Sequence, residues 1–371
     1  MLNKFNIINE LKNNLRNLKS NNEKFILIIA FFLLISLFIV SVIWSLTTGS
    51  IDISLQTIIN SIGHLIWNTK VAEIDVMNVM VINEIRLPRM ILAFIVGAAL
   101  SITGGSMQGL FRNPLADPAL IGVSTGAALG AVIFIILGSY FFPDLPSNYK
   151  TYIIPVFAFL GGILSTILAY KLATRSGVTN ISILLLSGIA LNAVNGSIYG
   201  FFLFIANDAQ LRNITFWSLG SFSGTNWISV QIGFFVVFLP SLLLFLVSNK
   251  LNILALGEKE AYYLGINVQK LKVIIILITA ITIGGAVSLS GIIGFVGLVT
   301  PHIIRLWFTN NYKHLIPLSF LAGGILLMIA DTFARTIVSP AELPIGIITT
   351  GIGGPFFIWL LLKEKRKDMM S

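Results

Sequence analysis

The sequence contains no cysteine, which excludes disulfides, thiolate metal sites and thiol nucleophiles. It is also poor in charge. Asp, Glu, Lys and Arg make up 11% of its 371 residues, less than half of the roughly 25% usual in soluble proteins. With 56% of the residues hydrophobic, a water-soluble globule is excluded, because a chain of this length could not hide that much apolar surface from water. Carboxylates are missing from the middle of every long apolar stretch, and with them the usual mark of proton or sodium coupling inside a membrane. Asp117, Asp331 and Glu342 fall at the ends of such stretches, where solvation or helix capping competes with a proton relay. There is no G-x-x-x-x-G-K-[ST] phosphate loop, so the chain does not hydrolyse ATP by that route.

What is present is a series of charge-free stretches, at 25–51, 90–111, 118–143, 151–170, 176–207, 213–249, 273–304, 314–330 and 343–362. A membrane-spanning helix needs about 20 apolar residues, so the pattern predicts an all-α polytopic membrane protein. Basic residues crowd both ends, with Lys4, Lys12, Arg16, Lys19 and Lys24 at one and Lys363, Lys365, Arg366 and Lys367 at the other. Both termini are therefore expected in the cytoplasm, and the number of spans is even. Gly284, Gly285, Ser288, Ser290, Gly291 and Gly294 interrupt the stretch 273–304 and divide it in two. Ten spans result, near 25–44, 90–108, 118–138, 152–170, 181–204, 228–248, 273–290, 292–308, 315–331 and 344–362. This arrangement leaves only Lys70, Arg86, Arg89, Lys150, Arg212 and Arg335 outside, of 24 basic residues. The net charge of +9 is thereby explained by inward basic loops, with no nucleic acid needed. The first apolar run is too long for a cleavable signal and reads as the first span.

A transporter with neither an intramembrane carboxylate nor a phosphate loop needs an external motor. The cytoplasmic segment from Leu251 to Val268 offers a contact for one. Residues from Gly257 to Leu264 are expected to form a short helix closed by Gly265. This segment resembles the coupling loop of permease subunits in ABC importers of the FecCD type, the vitamin B12, ferric siderophore and haem permeases. Four further motifs agree: Arg86-Leu-Pro-Arg89, Gln108-Gly-Leu-Phe-Arg-Asn-Pro-Leu-Ala-Asp-Pro118, Gly294-Phe-Val-Gly-Leu-Val-Thr-Pro-His-Ile-Ile-Arg305 and Glu342-Leu-Pro-Ile-Gly-Ile-Ile-Thr-Thr-Gly351.

The resemblance implies a type II ABC importer fold with about ten transmembrane helices, in a bacterial cytoplasmic (inner) membrane. It implies a single permease domain over 25–366, with an outer loop at 45–89 and a coupling segment at 249–272. Residues 1–24 are left as a cytoplasmic N-terminal extension and 367–371 as a tail. The implied partners are a second copy of the chain, two ATP-binding subunits and a soluble substrate-binding protein on the outer face. ATP and Mg are used by the partner subunit, and this chain itself is expected to carry no cofactor and no catalytic residue. The cargo it implies is an iron-containing chelate, haem before ferric siderophore, with vitamin B12 third. An ion-coupled secondary transporter working alone is the alternative of another class.

Site residues follow the motifs. Glu258, Glu260, Ala261, Leu264 and Gly265 are expected to form the ATPase coupling surface. Asn113, Pro114 and Leu115 match a cytoplasmic gate, where Pro114 and Pro118 also force a reversal of the chain. Arg86, Arg89 and Arg335 match arginines that receive glutamates of the binding protein, since a guanidinium fork suits a carboxylate. The same arginines could instead anchor a span at the head groups or pair with Glu84. Ser124, Thr125, Gly188, Asn192 and Asn195 could line the pathway or bond between helices. His302 is read as structural, and His64 and His314 as solvated, so no metal site is expected.

Overall fold

A computed structural model of the chain describes residues 2–49, 51–67, 76–144 and 147–368. Of the expected outer loop 45–89, residues 50 and 68–75 lie outside the described residues, as do 369–371 of the tail and the side chain of His64. The fold is helical. In chain order the elements are α1 (Leu2–Thr47), α2 (Leu55–Trp67), α3 (Val76–Met80), α4 (Leu87–Phe111), α5 (Val123–Phe141) and α6 (Ser147–Ala173). A hairpin follows, β1 (Thr174–Arg175) paired antiparallel with β2 (Val178–Thr179). Then come α7 (Ile181–Ile205), α8 (Asp208–Ser218), α9 (Trp227–Ile232), α10 (Leu239–Leu254), α11 (Glu258–Tyr263), α12 (Val268–Ser290), α13 (Val296–Trp307), α14 (Tyr312–Thr336) and α15 (Ile345–Asp368).

Each of the ten expected spans coincides with a helix, and seven of those helices are long and apolar enough to cross a membrane. The shorter apolar stretches are Val123–Gly138 and Ile345–Leu360. α13 is shorter still. At 1.5 Å per residue its 12 residues reach about 18 Å, well under a hydrocarbon core of about 30 Å. The reason is the glycine-rich break: Gly291 and Phe295 both have positive φ, which ends α12 and delays the next helix to Val296. The span expected from 118 likewise starts late. Asp117 caps a single turn at Pro118–Ile121, and Gly122, at φ +86°, separates that turn from α5.

Two other boundaries differ from expectation. α3 runs through a π-helical turn, Val81–Arg86, straight into α4, so one helix extends from Val76 to Phe111 and the outer loop ends well before Arg89. A Pro near position 89 looks like a helix boundary, but Pro88 directly follows the π-helical turn, an irregularity in the hydrogen-bond ladder that lets the helix run past it. α1 begins at Leu2, so the expected extension and the first span share one helix. The amphipathic α8 was not anticipated; it is started by a capping box between Asn207 and Gln210.

α4 is the hub. It packs against α14, α13, α12 and α10, and its most apolar window is 83% buried, against 17% for α1. That difference follows from composition. α1 carries large apolar side chains outward, with Phe32 and Val40 more than 60% exposed, whereas α4 is rich in Gly, Ala, Ser and Thr, which let helix backbones approach closely. A Cβ on Gly104 would stand 1.7 Å from the carbonyl oxygen of Gly297 on α13, and one on Gly97 would stand 2.3 Å from that of Gly323 on α14.

Candidate functional site

At the end of the bundle expected to face the cytoplasm, α10 ends at Leu254 and the chain turns at Gly257 into α11. The helix is short because Gly265, at φ +83°, closes it. The Gly265 N–H donates to the Tyr262 carbonyl (2.9 Å) and the Ile266 N–H to that of Ala261 (3.0 Å). Asn267 then starts α12, its side chain accepting from the Lys270 N–H at 2.9 Å. Ala261 is fully buried. This corrects the expectation that it belongs to the docking surface: as the smallest residue of α11, it is the one turned onto the helical core. Glu258 is only partly outward, since its carboxylate accepts from Lys272 at 2.8 Å. Glu260, Leu264 and Gly265 are exposed.

The sequence reading missed the largest outward groups. Tyr262 is 72% and Tyr263 84% exposed, and both border an open groove of about 890 Å³ that also includes Glu258, Lys259 and Gln269. Two adjacent large aromatics in a short charged segment were the available signal. Side by side on a solvent-facing turn, they have no core to fill.

Asn113, Pro114 and Leu115 are all exposed on the loop that follows α4. Arg112, at φ 51°, ends the helix, and the Asn113 side chain accepts from the Leu115 N–H at 2.9 Å, which fixes the reversal. Next to it, Asp117 accepts from the Ala119 N–H at 2.7 Å. Burial pushes the Asp117 carboxyl above the usual range, opposed by that same N–H. This loop is tied to the second half of the chain, because Gln108 accepts from Arg305 at 2.8 Å while Arg305 also reaches the Tyr312 hydroxyl at 3.4 Å. Two motifs separated by almost 200 residues thus meet at the C-terminal end of α4.

The polar residues of α5 and α7 face each other. Thr125 donates to Asn192 at 2.6 Å, and Asn195 donates to Ser165 on α6 at 2.9 Å and to Thr125 at 3.3 Å. Asn195 is buried, and Gly188 lies so close to the Pro118–Ile121 turn that a Cβ would stand 1.8 Å from the Leu120 oxygen. Of the two readings kept open for these residues, bonding and close packing between helices is the one the structure shows for Gly188 and Asn195. Ser124, Thr125 and Asn192 remain partly exposed.

At the opposite end of α4, Arg89 forms a fork onto Asp331, with Nε to Oδ2 and Nη2 to Oδ1 both at 2.9 Å, and its Nη1 reaches Glu342 at 2.8 Å. Arg86 donates to the carbonyls of Thr47 (3.0 Å), Leu46 and Ile51, and Arg335 to the carbonyl and hydroxyl of Ser45. Arg86 and Arg89 are 4% and 8% exposed. This corrects the picture of three outward forks: the three guanidinium groups bond inside the protein, Arg335 through Nη2 alone with its buried Nε left without a hydrogen bond among the described residues, and Glu84, exposed, is not their partner. The same pairs account for Asp331 and Glu342, which are ion-paired rather than merely solvated.

His302 is buried, with its ring edge-on to Phe356, and among the described residues no three His, Cys, Asp or Glu are grouped to hold a metal ion.

Comparison with known proteins bears on this arrangement. A model of the FecCD transport family matches residues 37–363. The chain is 41% identical to the hemin transport system permease protein of Yersinia pestis, over 91% of this chain and 96% of that protein. It is 38% identical to the vitamin B12 import system permease protein of Citrobacter koseri, over 76% of this chain and 83% of that one. A solved structure of a transporter assigned to the metal-chelate type of ABC transporter, in an inward-facing conformation, superposes with a TM-score of 0.75. It is 31% identical and covers 90% of this chain and 98% of its own.

Proposed function

This chain belongs to the FecCD transport family of ABC importer permeases, and from that premise we propose that it carries an iron-containing chelate inward, haem in the first place. The observation that supports haem is the extent of the likeness to the hemin permease, which exceeds that to the vitamin B12 permease in both identity and reach. Ferric siderophore and vitamin B12 are the alternatives within the same family. We propose that two copies assemble with two ATP-binding subunits, which use ATP and Mg, and with a binding protein outside. Both termini then lie in the cytoplasm.

In this reading the exposed turn of α11, with Glu260, Tyr262, Tyr263 and Leu264, seats in a groove of the ATP-binding subunit. Asn113, Pro114 and Leu115 close the inner end of the pathway. Arg86, Arg89 and Arg335 receive the binding protein only when its carboxylates replace their internal partners. At Arg89, exchange of one carboxylate for another keeps the guanidinium paired throughout, while Arg86 and Arg335 trade backbone carbonyls and a hydroxyl for a carboxylate, so docking and opening of the outer end become a single event.

A cross-link tests the contact. A cysteine in place of Tyr263 is expected to cross-link to the ATP-binding subunit in the assembled importer, whereas one in place of Ala261 is expected not to, because that side chain is covered. Absence of a cross-link from both would remove α11 from the interface, and a cross-link from both would show that Ala261 is uncovered in the assembled importer.

The energy source and cargo are tested in vesicles holding the complete importer with ATP inside. Haem uptake is expected to continue when ionophores collapse the proton and sodium gradients. If uptake ceases while ATP stays at its starting level, the chain is a secondary transporter. If cobalamin or a ferric siderophore is accumulated in place of haem, the cargo assignment moves to that branch.

A further inference from the structure

Lys272 is the one Lys or Arg among the described residues with as little as 2% exposure. It lies in the second turn of α12, and its Nζ donates to two acceptors at 2.8 Å, the Glu258 carboxylate on α11 and the Thr179 carbonyl on β2. A second bond holds the hairpin to the same helix: Gln269 accepts from the Thr179 N–H at 2.9 Å. The hairpin in turn joins α6 to α7. Three parts of the chain therefore converge on one ammonium group. An ammonium can be kept at such burial because a full charge and a carbonyl dipole satisfy it, and losing either acceptor would leave it strongly disfavoured.

α12 continues from this point through the bundle for about 27 Å, from Lys272 to Ser290, at 1.5 Å per residue. Its inner end is anchored as described. Its outer end is anchored as well: the Ser290 carbonyl accepts from the Ser221 N–H at 2.8 Å, and the neighbouring Leu219 and Gly220 carbonyls accept from Gly346 and Ile345 of α15, both at 3.0 Å. A helix whose two ends are bonded to other elements moves as a rod, because its backbone hydrogen bonds resist stretching far better than side-chain packing resists sliding.

We propose that Lys272 is a positioning residue for energy coupling, a strut that passes displacement of α11 to α12 and to the α6–α7 hairpin, and through α12 to the start of α15 at the outer end. Without the strut, α11 remains seated on its motor but moves without pulling on the bundle. This rests on the reading of α11 as the contact with the ATP-binding subunit.

The experiment compares Lys272→Met, Lys272→Arg and the unaltered permease in the complete importer in vesicles, reading the ratio of substrate moved to ATP hydrolysed. Lys272→Met is expected to lower that ratio about tenfold, within the 5- to 150-fold range usual for coupling between sites, while Lys272→Arg, which keeps the charge, restores most of it. A purely structural role predicts less folded permease at an unchanged ratio, and that result overturns the proposal. If Lys272→Met yields no folded protein, Glu258→Gln decides instead. It leaves Lys272 bonded to Thr179 and changes only a partly exposed carboxylate, and an unchanged ratio there also overturns the strut. The Tyr263 cysteine cross-link, made in the same complexes, separates the two claims. A cross-link with an unchanged ratio refutes the strut alone, and absence of the cross-link in the otherwise unaltered permease refutes the docking reading and the strut with it.

Discussion

Replacing Arg89 with methionine is expected to destabilise the permease by about 3–5 kcal/mol, the usual cost of removing one partner from a buried ion pair. The damage falls on Asp331. That carboxylate is 2% exposed and takes both prongs of the guanidinium fork, so without Arg89 it is a charge held away from water with nothing to neutralise it. Glu342 suffers less, because its side chain is 36% exposed and can turn to solvent. Adding Asp331→Leu to Arg89→Met is therefore expected to recover most of the loss, since an apolar pair of similar volume often replaces a buried ion pair without net cost. Thermal unfolding of the purified permease in detergent measures both variants. An unchanged midpoint in Arg89→Met would show that the fork does not hold α4 to α14. The double variant also separates stability from transport: a stable protein that no longer engages its binding protein would assign Arg89 to docking.

Leucine at Gly104 is expected to prevent folding altogether, with a loss beyond about 4–5 kcal/mol, at the far end of what single substitutions produce. A Cβ there would stand 1.7 Å from the Gly297 carbonyl oxygen, and from the other side a Cβ on Gly297 would stand 2.7 Å from that of Leu100. Both obstacles are backbone. A side chain can rotate away from an intruder, but α4 and α13 could separate only by opening the centre of the bundle. Gly196→Leu is the control. Its glycine is also in a span, on α7, but has nothing within 4 Å, and the monomer fold is expected to survive. Size-exclusion profiles of tagged protein in detergent would show a sharp peak for the control and aggregate for Gly104→Leu; a sharp peak for both would mean that the α4–α13 approach is not required.

The spans were legible because lipid imposes a length and a composition that need no partner to be read. The break at Gly291 was legible for a similar reason, a cluster of glycines and serines inside an otherwise apolar run. What a charged side chain faces was not. Arg89 and Asp331 stand 242 residues apart, and nothing near either names the other, so a motif arginine next to a proline read as a surface group. Ala261 illustrates the opposite failure. Between Glu260 and Tyr262 it looks like any residue of a solvated turn, and only the placement of α10 and α12 decides that it is the one facing inward. Asn192 and Asn195 could be placed on one face from their spacing, but whether that face met water or another helix depended on Ser165 and Thr125, in elements read separately. The continuation of α4 back to Val76 was hidden because a proline that follows a π-helical turn inside a helix and a proline in a loop look alike in sequence.

The separation of Arg89 from Asp331 also has a consequence in time. At a synthesis rate of 5–20 residues per second, roughly 10 to 50 s pass between the emergence of the two residues. Through most of that interval α4 is already made, yet the helices that cover its small residues on two sides, α13 and α14, have not been synthesised. The hub of the bundle is thus among the first parts to be translated and the last to be enclosed. A nascent chain halted before Val296 should expose a helix with a buried arginine's worth of unmet charge and a face of glycines, which makes that stage of biogenesis the one most open to quality-control proteases of the membrane.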